Sequence, residues 1–159
     1  MRLAEQLRYL VLAAQLEGRR RLARALKPLN LTPSQAEVLR VLDDHGAMSL
    51  RSLGKLLVCE TGTNPSRLVD RLVERALVDR REDEHDARAV ILCITKEGRK
   101  LSGDVRRLEE SMYQQLDKMD EGDARATVRF LRSYVAGSPV GTAFLNRESL
   151  QPKRGPAWK

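Results

Sequence analysis

The sequence has little of what a metal site, a disulfide framework or a catalytic centre requires. Its 159 residues include two histidines and two cysteines, and Cys59 and Cys93 stand in no Cys-x-x-Cys or other metal-ligand spacing. It contains no Gly-x-Ser-x-Gly, Walker A or His-Glu-x-x-His motif. We therefore expect a protein that is not an enzyme, binds no metal or cofactor, and keeps its thiols reduced in the cytoplasm.

Aromatic residues and long hydrophobic runs are also scarce. Aromatics are 4% of a chain that is 42% hydrophobic, so the core must be aliphatic, which favours packed helices over a β-sandwich. The N-terminal apolar run is interrupted by Gln15, Glu17 and Gly18 and is too short to span a bilayer. We expect no membrane-spanning segment and no export signal. The formal net charge of +7 favours a polyanionic partner, either nucleic acid or a membrane surface.

Long amphipathic helices are predicted at both ends of the chain. The first covers residues 2–27 and ends at Pro28, and another begins at the N-cap Thr95 and runs for about 24 residues. A helix over 123–135 follows, and a loosely held extension follows that helix. The apolar faces of these helices exceed what one small domain can cover, so we expect them to pack against a second copy of the chain.

Two shorter helices are predicted before the centre of the chain. Thr32 is an N-cap, Pro33 suits the first helical position and Gln35 completes a capping box, while Gly46 stops the helix. Ser49 then caps a helix over 50–57, and residues 47–49 are candidates for a short strand.

The stretch 53–98 organises the rest of the chain. Its helix begins between residues 61 and 64 and runs to about residue 76, with an apolar stripe predicted at Leu68, Leu72 and Ala76. Another side of the helix carries an asparagine and three arginines: Asn64, Arg67, Arg71 and Arg75. Arginine can bond guanine and asparagine can bond adenine, so this edge fits a DNA major groove.

Two strand-like runs, 77–81 and 89–95, flank a polar turn and predict a hairpin, or wing. The order helix, helix, hairpin resembles the MarR family of winged helix-turn-helix regulators, strongly over residues 31–101. Ile94 and Ala76 depart mildly from the usual Leu and Gly. The matching residues are Leu77, Val78, Arg80, Asp86, Arg88, Ile94, Thr95 and Gly98.

The resemblance implies a mainly α fold with a small β-wing and a dimerisation region built from the terminal helices. The expected organisation is a dimerisation region at 1–30 and 100–136, a winged helix-turn-helix domain at 31–99 and a C-terminal extension at 137–159. It further implies a homodimeric repressor that binds a double-stranded, pseudo-palindromic operator. The residues expected to contact DNA are Thr63, Asn64, Ser66, Arg67, Arg71 and Arg88.

Two further roles follow from the resemblance. Asp86 is expected to brace the wing, while Arg88 enters the minor groove, where a narrow groove concentrates negative potential. Family members often bind small, frequently aromatic anions between the dimerisation helices and the winged domain. The candidate lining residues here are Tyr9, Arg20, His45 and Tyr113.

Two alternatives to a ligand-released repressor remain open. Cys59 lies just before the recognition helix, whose dipole can lower a thiol pKa, so Cys59 and Cys93 are candidates for redox sensing. The opposite interpretation is that both cysteines are small filler residues. A winged fold can also serve as a protein-interaction module, although such modules usually lack arginines on the recognition helix.

Overall fold

Helices dominate the computed structural model, which describes residues 1–59, 65–82 and 90–150. A small antiparallel sheet joins them, so the predicted fold class is confirmed. No helix in these three ranges is both long and apolar enough to cross a membrane. The elements are α1 (Leu3–Leu26), a 3-10 turn (Lys27–Leu29), α2 (Pro33–His45), β1 (Met48–Ser49), α3 (Leu50–Gly54), α4 (Pro65–Glu74), β2 (Val78–Glu82), β3 (Val90–Ile94), α5 (Lys96–Leu116), α6 (Glu121–Val135) and α7 (Pro139–Ser149).

Local capping sets the start of α2 as the sequence predicts. The Thr32 hydroxyl accepts a hydrogen bond from the Gln35 main-chain N–H at 3.2 Å, and the Gln35 side chain accepts one from the Thr32 N–H at 3.0 Å. Pro33 occupies the first turn, where it removes no helical bond. Gly46 ends the helix with a φ of 82°, a conformation that favours glycine.

The core forms around α2, which is buried along most of its length. Leu39 and Leu42 on this helix are fully buried. They belong to one aliphatic cluster with residues of α3, α4, the sheet and α5, so the long helix α5 shares this core. The other fully buried members are Leu26, Val38, Val41, Leu53, Leu57, Val69, Leu72, Val78, Leu92 and Val105.

The sheet has the strand order β1-β3-β2, with both pairings antiparallel. Val78 at the start of β2 lies opposite Ile94 at the end of β3, and Arg80 lies opposite Leu92. Met48 of β1 pairs with the other edge of Leu92. The two-residue β1 agrees with the short strand predicted from the sequence. The three strands together connect the wing to the helix-turn-helix.

The buried face of α4 differs from the predicted stripe of Leu68, Leu72 and Ala76. Val69 and Leu72 are fully buried, whereas Leu68 is half-buried. The helix ends at Glu74, so Ala76 lies in the following turn and is exposed. The earlier helix end breaks the four-residue spacing on which the predicted stripe depended.

Residues 139–149, predicted as part of a loosely held extension, form a helix. Residues Pro139–Ser149 form α7, capped by the Ser138 hydroxyl, which accepts from the Gly141 N–H at 3.1 Å. Ala143 on this helix is buried. The prediction of a loosely held extension is wrong for Pro139–Ser149, because Pro139 stands in the first turn after the N-cap Ser138 and does not break the helix. Contacts with distant residues also hold this helix.

Ala76 adopts a left-handed backbone with φ of 53°. A Cβ atom is unfavourable there, so Ala76→Gly is expected to raise the free energy of unfolding by about 0.5–1 kcal/mol, once the extra freedom of glycine in the unfolded chain is subtracted. Urea denaturation measures this change. Asn30, at φ 52°, is the matched control, since asparagine tolerates this conformation and Asn30→Gly should gain less. Equal or unfavourable effects at both positions would contradict the argument.

Candidate nucleic-acid interface

The outer face of α4 carries two arginines one helical turn apart. Arg67 and Arg71 are exposed, and they lie on the side of the helix opposite Val69 and Leu72. Within the described residues, neither arginine takes part in an ion pair, so both guanidinium groups are available to a ligand. Ser66, at the start of the helix, is half-buried. This is the arrangement that a helix entering the major groove needs at its N-terminal half.

Arg75, although on the same predicted edge, has a different role. Its guanidinium donates to the main-chain oxygen of Asn30 at 2.6 Å and to that of Leu29 at 3.4 Å. Both oxygens belong to the 3-10 turn and its cap between α1 and α2. Arg75 therefore fastens the end of the recognition helix to the end of α1 and is removed from the predicted DNA edge.

Several predicted residues lie outside the described part of the chain. Thr63 and Asn64, predicted at the start of the recognition helix, and Asp86 and Arg88, predicted in the wing, fall in residues 60–64 and 83–89. Their predicted roles in DNA contact and wing bracing therefore stay predictions.

A brace between recognition helix and wing is present at residues that the sequence reasoning missed. Arg80 on β2 forms an ion pair with Asp70 on α4. Arg80 belongs to the family pattern, but its partner cannot be chosen from spacing alone, because many carboxylates surround the wing in the sequence. Both side chains are partly exposed, so the pair contributes orientation more than stability.

Glu37 is a second residue that the sequence reasoning missed. It lies on α2 and is buried, and its carboxylate accepts hydrogen bonds from the main-chain N–H groups of Val58 and Cys59, both at 2.8 Å. The signal in the sequence is a carboxylate between the apolar residues Ala36 and Val38.

Cys59 has the opposite electrostatic character to the one expected from a helix dipole. Burial, together with the negative charge and hydrogen bond of Glu37, raises the pKa of the Cys59 thiol to about 12. At neutral pH this thiol is therefore protonated, whereas a redox-sensing cysteine reacts as the thiolate. The expected lowering of the Cys59 pKa is corrected: although the residue is exposed, its raised thiol pKa weighs against a peroxide switch at this position.

The unreactive state of Cys59 is testable by alkylation. In a Cys93→Ser variant, which leaves Cys59 as the single thiol, iodoacetamide at pH 8 should react at least about 100-fold more slowly than with free cysteine. The Cys59→Ser variant reports on Cys93 in the same assay. We also expect the double Cys→Ser variant to bind DNA as wild type does, with or without peroxide. Fast labelling of Cys59, or peroxide release of wild type alone, would restore the redox alternative.

Three comparisons with known proteins agree with this geometry. A model described as a winged helix DNA-binding domain matches residues 31–98. The organic hydroperoxide resistance transcriptional regulator of Bacillus subtilis (strain 168) is 29% identical over 98 residues, 62% of this chain. The match spans 66% of that regulator's own length, which is just under two thirds.

Solved structures match over more of the chain. One match is BpsR of Bordetella bronchiseptica, in a structure that concerns regulation of its DNA binding by 6-hydroxynicotinic acid. It superposes with a TM-score of 0.73 and is 26% identical in sequence, and the match covers 86% of this chain and 97% of that one. A MarR variant of E. coli complexed with operator DNA gives a TM-score of 0.68 and 27% identity, with 82% and 94% covered.

The matched winged-helix domain and the similar structures support a MarR-family winged-helix regulator. The relatives that this chain matches include a transcriptional regulator, and one matched structure is a complex with operator DNA. Its relatives are regulators and not enzymes, which agrees with the prediction that this chain is no enzyme. Regulation by a ligand is typical of the MarR family. The positions of the four candidate effector residues therefore matter for this chain.

The four candidate effector residues are found in different surroundings in this chain. Tyr9 is exposed near the start of α1, with the Arg8 guanidinium 4.2 Å from its ring centre, and Arg20 is exposed further along α1. His45 is at the end of α2, where burial lowers its pKa. Tyr113 is on α5, where burial and the nearby charge of Glu109 raise its pKa.

Two cavities lie next to these elements. One, of about 700 Å³, is lined by His45, residues of β1 and α3, and Thr142 and Asn146 of α7. The other, of about 550 Å³, lies between the end of α1, the start of α2 and the end of α4, and Arg71 and Arg75 line it. Of the four candidates, His45 lines the first cavity and none lines the second, so the structure does not gather them into one pocket.

Proposed function

We propose that the protein is a homodimeric repressor that binds a pseudo-palindromic operator and is released by a small organic anion. The observation that carries the proposal is the exposed apolar surface of the terminal helices. Leu10 on α1 is 65% exposed and Tyr134 on α6 is 60% exposed. Further exposed apolar side chains on α1, α5 and α6 are Leu3, Leu7, Leu16, Leu116, Val128, Phe130 and Leu131.

A second copy of the chain is the occupant that best fits this surface. Monomeric proteins rarely leave a contiguous apolar patch of this kind in water. A two-fold dimer through α1 and α6 would cover the same residues on both copies at once. It would also present two α4 helices, which must lie about 34–36 Å apart to enter successive major grooves.

On DNA, Arg67 and Arg71 are proposed to bond base edges and phosphates, with Ser66 at the helix start. The wing is proposed to reach the neighbouring minor groove through Arg88. An operator with two-fold symmetry follows from a two-fold dimer, because each half-site then meets the same side chains.

The proposed effector acts through the junction between α5 and α2. The Arg40 guanidinium lies 3.1 Å from Glu109 on α5 and 3.3 Å from Asp44, and Arg106 on α5 lies 2.7 Å from Asp44. The Arg40 side chain is 11% exposed, so these charges are little screened by water. A ligand that moves α5 would therefore carry the winged domain with it and change the spacing of the two α4 helices.

The dimer is tested by sedimentation and by a charged substitution on its surface. Wild type is expected to sediment as a dimer at micromolar concentration, and Leu10→Glu should shift it towards monomer and weaken operator binding. Leu10 is exposed in the single chain, so the substitution should leave the fold of each chain intact. A folded wild-type monomer that binds the operator with full affinity would contradict the dimer.

The effector is tested by titrating aromatic carboxylates against the operator complex, with thermal unfolding of the free protein as a second readout. Release by about 100-fold needs roughly 2.7 kcal/mol of differential affinity between the two dimer spacings. A Tyr113→Phe variant tests whether Tyr113, one of the four candidate effector residues, takes part in ligand binding. If a broad panel neither stabilises the free protein nor releases DNA, the protein is a constitutive DNA-binding repressor.

A further inference from the structure

The carboxylate of Glu37 is buried and fully engaged. Its Oε1 accepts from the Val58 N–H at 2.8 Å and lies 3.0 Å from a guanidinium nitrogen of Arg147, while its Oε2 accepts from the Cys59 N–H at 2.8 Å. Glu37 is 7% exposed. A buried charge of this kind is tolerated only with a partner charge and satisfied hydrogen bonds, and Arg147 supplies the partner charge.

The two N–H groups held by Glu37 belong to the turn of the helix-turn-helix. Val58 and Cys59 follow α3 and are the last described residues before α4 begins at Pro65. Because α2 is buried along most of its length, Glu37 offers this turn a fixed pair of acceptors. The direction in which the main chain leaves α3 towards the recognition helix is therefore set at this carboxylate.

Arg147 reaches Glu37 from the C-terminal helix, which is itself held at several points. The Asn146 side chain donates to the Lys55 main-chain oxygen at 3.2 Å, which places α7 directly on the end of α3. Glu148 forms an ion pair with Arg132 on α6. At the start of α7, a Cβ on Gly141 would lie 2.2 Å from the Val135 carbonyl oxygen, so the two helices approach closely.

We propose that Glu37 and Arg147 are positioning residues for operator recognition. The Glu37 carboxylate sets the turn that leads into α4, and α7 supplies the cation that completes its environment. In this view α7 is part of the DNA-reading unit, although none of its residues is proposed to contact DNA. The inference rests on DNA recognition through α4, and it adds an element that the predicted domain division left outside the winged domain.

The consequence is a specific kind of defect. Without Arg147, the buried carboxylate loses its countercharge and the turn loses its fixed position, so α4 samples orientations that do not fit the operator. Affinity for operator falls, while the number of phosphates neutralised stays the same. Binding to random duplex should therefore change little, and the slope of log affinity against log salt should stay as in wild type.

The test compares Arg147→Met with Arg125→Met, which removes the same charge from an exposed ion pair with Glu121 on α6. We expect Arg147→Met to bind operator about tenfold more weakly than Arg125→Met, with an unchanged salt slope and reduced preference over random duplex. Arg147→Lys should recover part of the loss. The loss caused by Glu37→Gln should not add to that of Arg147→Met, because the two residues act as one unit.

Amide hydrogen exchange keeps the test decisive if a variant is less stable. Val58 and Cys59 should lose protection in Arg147→Met, regain it in Arg147→Lys, and do so while the amides of Val38 and Leu39 in α2 stay protected. Equal operator affinity of Arg147→Met and Arg125→Met overturns the inference. A salt slope that is lowered by about one in Arg147→Met also overturns it, because it would show that Arg147 contacts a phosphate. If wild type shows no sequence preference at all, DNA recognition through α4 fails as well.

Discussion

Arg67→Ala is expected to weaken operator binding by about 1–3 kcal/mol and to relax sequence preference at one base pair of each half-site. Arg67 is exposed on the outer face of α4, opposite the buried Val69 and Leu72. Its guanidinium forms no ion pair with the residues described, so it can make both bonds to the edge of a guanine. Competition assays with singly substituted operators measure the change.

Arg75→Ala is the matched control for Arg67→Ala. It removes the same side chain from the end of the same helix, but the Arg75 guanidinium is bonded to the main-chain oxygens of Asn30 and Leu29. Arg75→Ala should therefore lower the free energy of unfolding by about 1 kcal/mol and leave base preference unchanged. Arg67→Ala should change stability by less than about 0.5 kcal/mol. The assignment of roles fails if both variants lose the same base preference.

Arg88 is expected to behave differently from Arg67. Arg88 is proposed to enter the minor groove from the wing. Arg88→Ala should therefore weaken binding more evenly across sequences and reduce the slope of log affinity against log salt. One experiment therefore distinguishes the roles of the two arginines. Loss of a base contact changes the sequence preference, whereas loss of a backbone or groove contact changes the salt dependence of binding. Identical losses with no change of preference in either variant would refute this division.

Gly98→Ala is expected to destabilise the fold by about 3 kcal/mol, the largest stability effect proposed for this chain. A Cβ on Gly98 would lie 2.1 Å from the main-chain oxygen of Leu77 and 2.8 Å from the Ile94 side chain. The Leu77 oxygen cannot move freely, because it accepts hydrogen bonds from both the main chain and the hydroxyl of Thr95. The start of α5 would have to separate from the start of β2.

Gly103→Ala, on the same helix, is the control for Gly98→Ala. A Cβ there would meet only the flexible end of Arg107, at 3.9 Å. Alanine is the better helix former, so this variant should gain up to about 1 kcal/mol. Thermal or urea unfolding of the two variants gives the comparison. Similar stability of both would show that the Leu77 oxygen does not restrict position 98.

The parts of the fold set by neighbouring residues could be predicted from the sequence. The capping box of Thr32 and Gln35 depends on residues three apart, and so does the bond from the Gly98 N–H to the Thr95 hydroxyl. The wing strands were predicted within one or two residues of their observed bounds, because alternation and a polar turn mark them locally.

What failed in the prediction depends on residues far apart in the chain. The spacing placed Arg75 beside Arg67 and Arg71, but its partners are carbonyl oxygens of another element. Nothing near Cys59 in the sequence announces the burial and the Glu37 charge that raise its thiol pKa. Helix α7 has weak periodicity of its own and is held by contacts such as that of Arg147 with Glu37.

The central claim is that two copies of this chain read a two-fold symmetric operator through paired α4 helices. Selection of bound duplexes from a random pool, followed by footprinting, tests it most directly. We expect an enriched sequence with two inverted half-sites whose centres lie about one helical turn apart, roughly 34–36 Å, and whose affinity falls steeply with salt. Enrichment of a single unsymmetric site, or of no sequence at all, would contradict the claim.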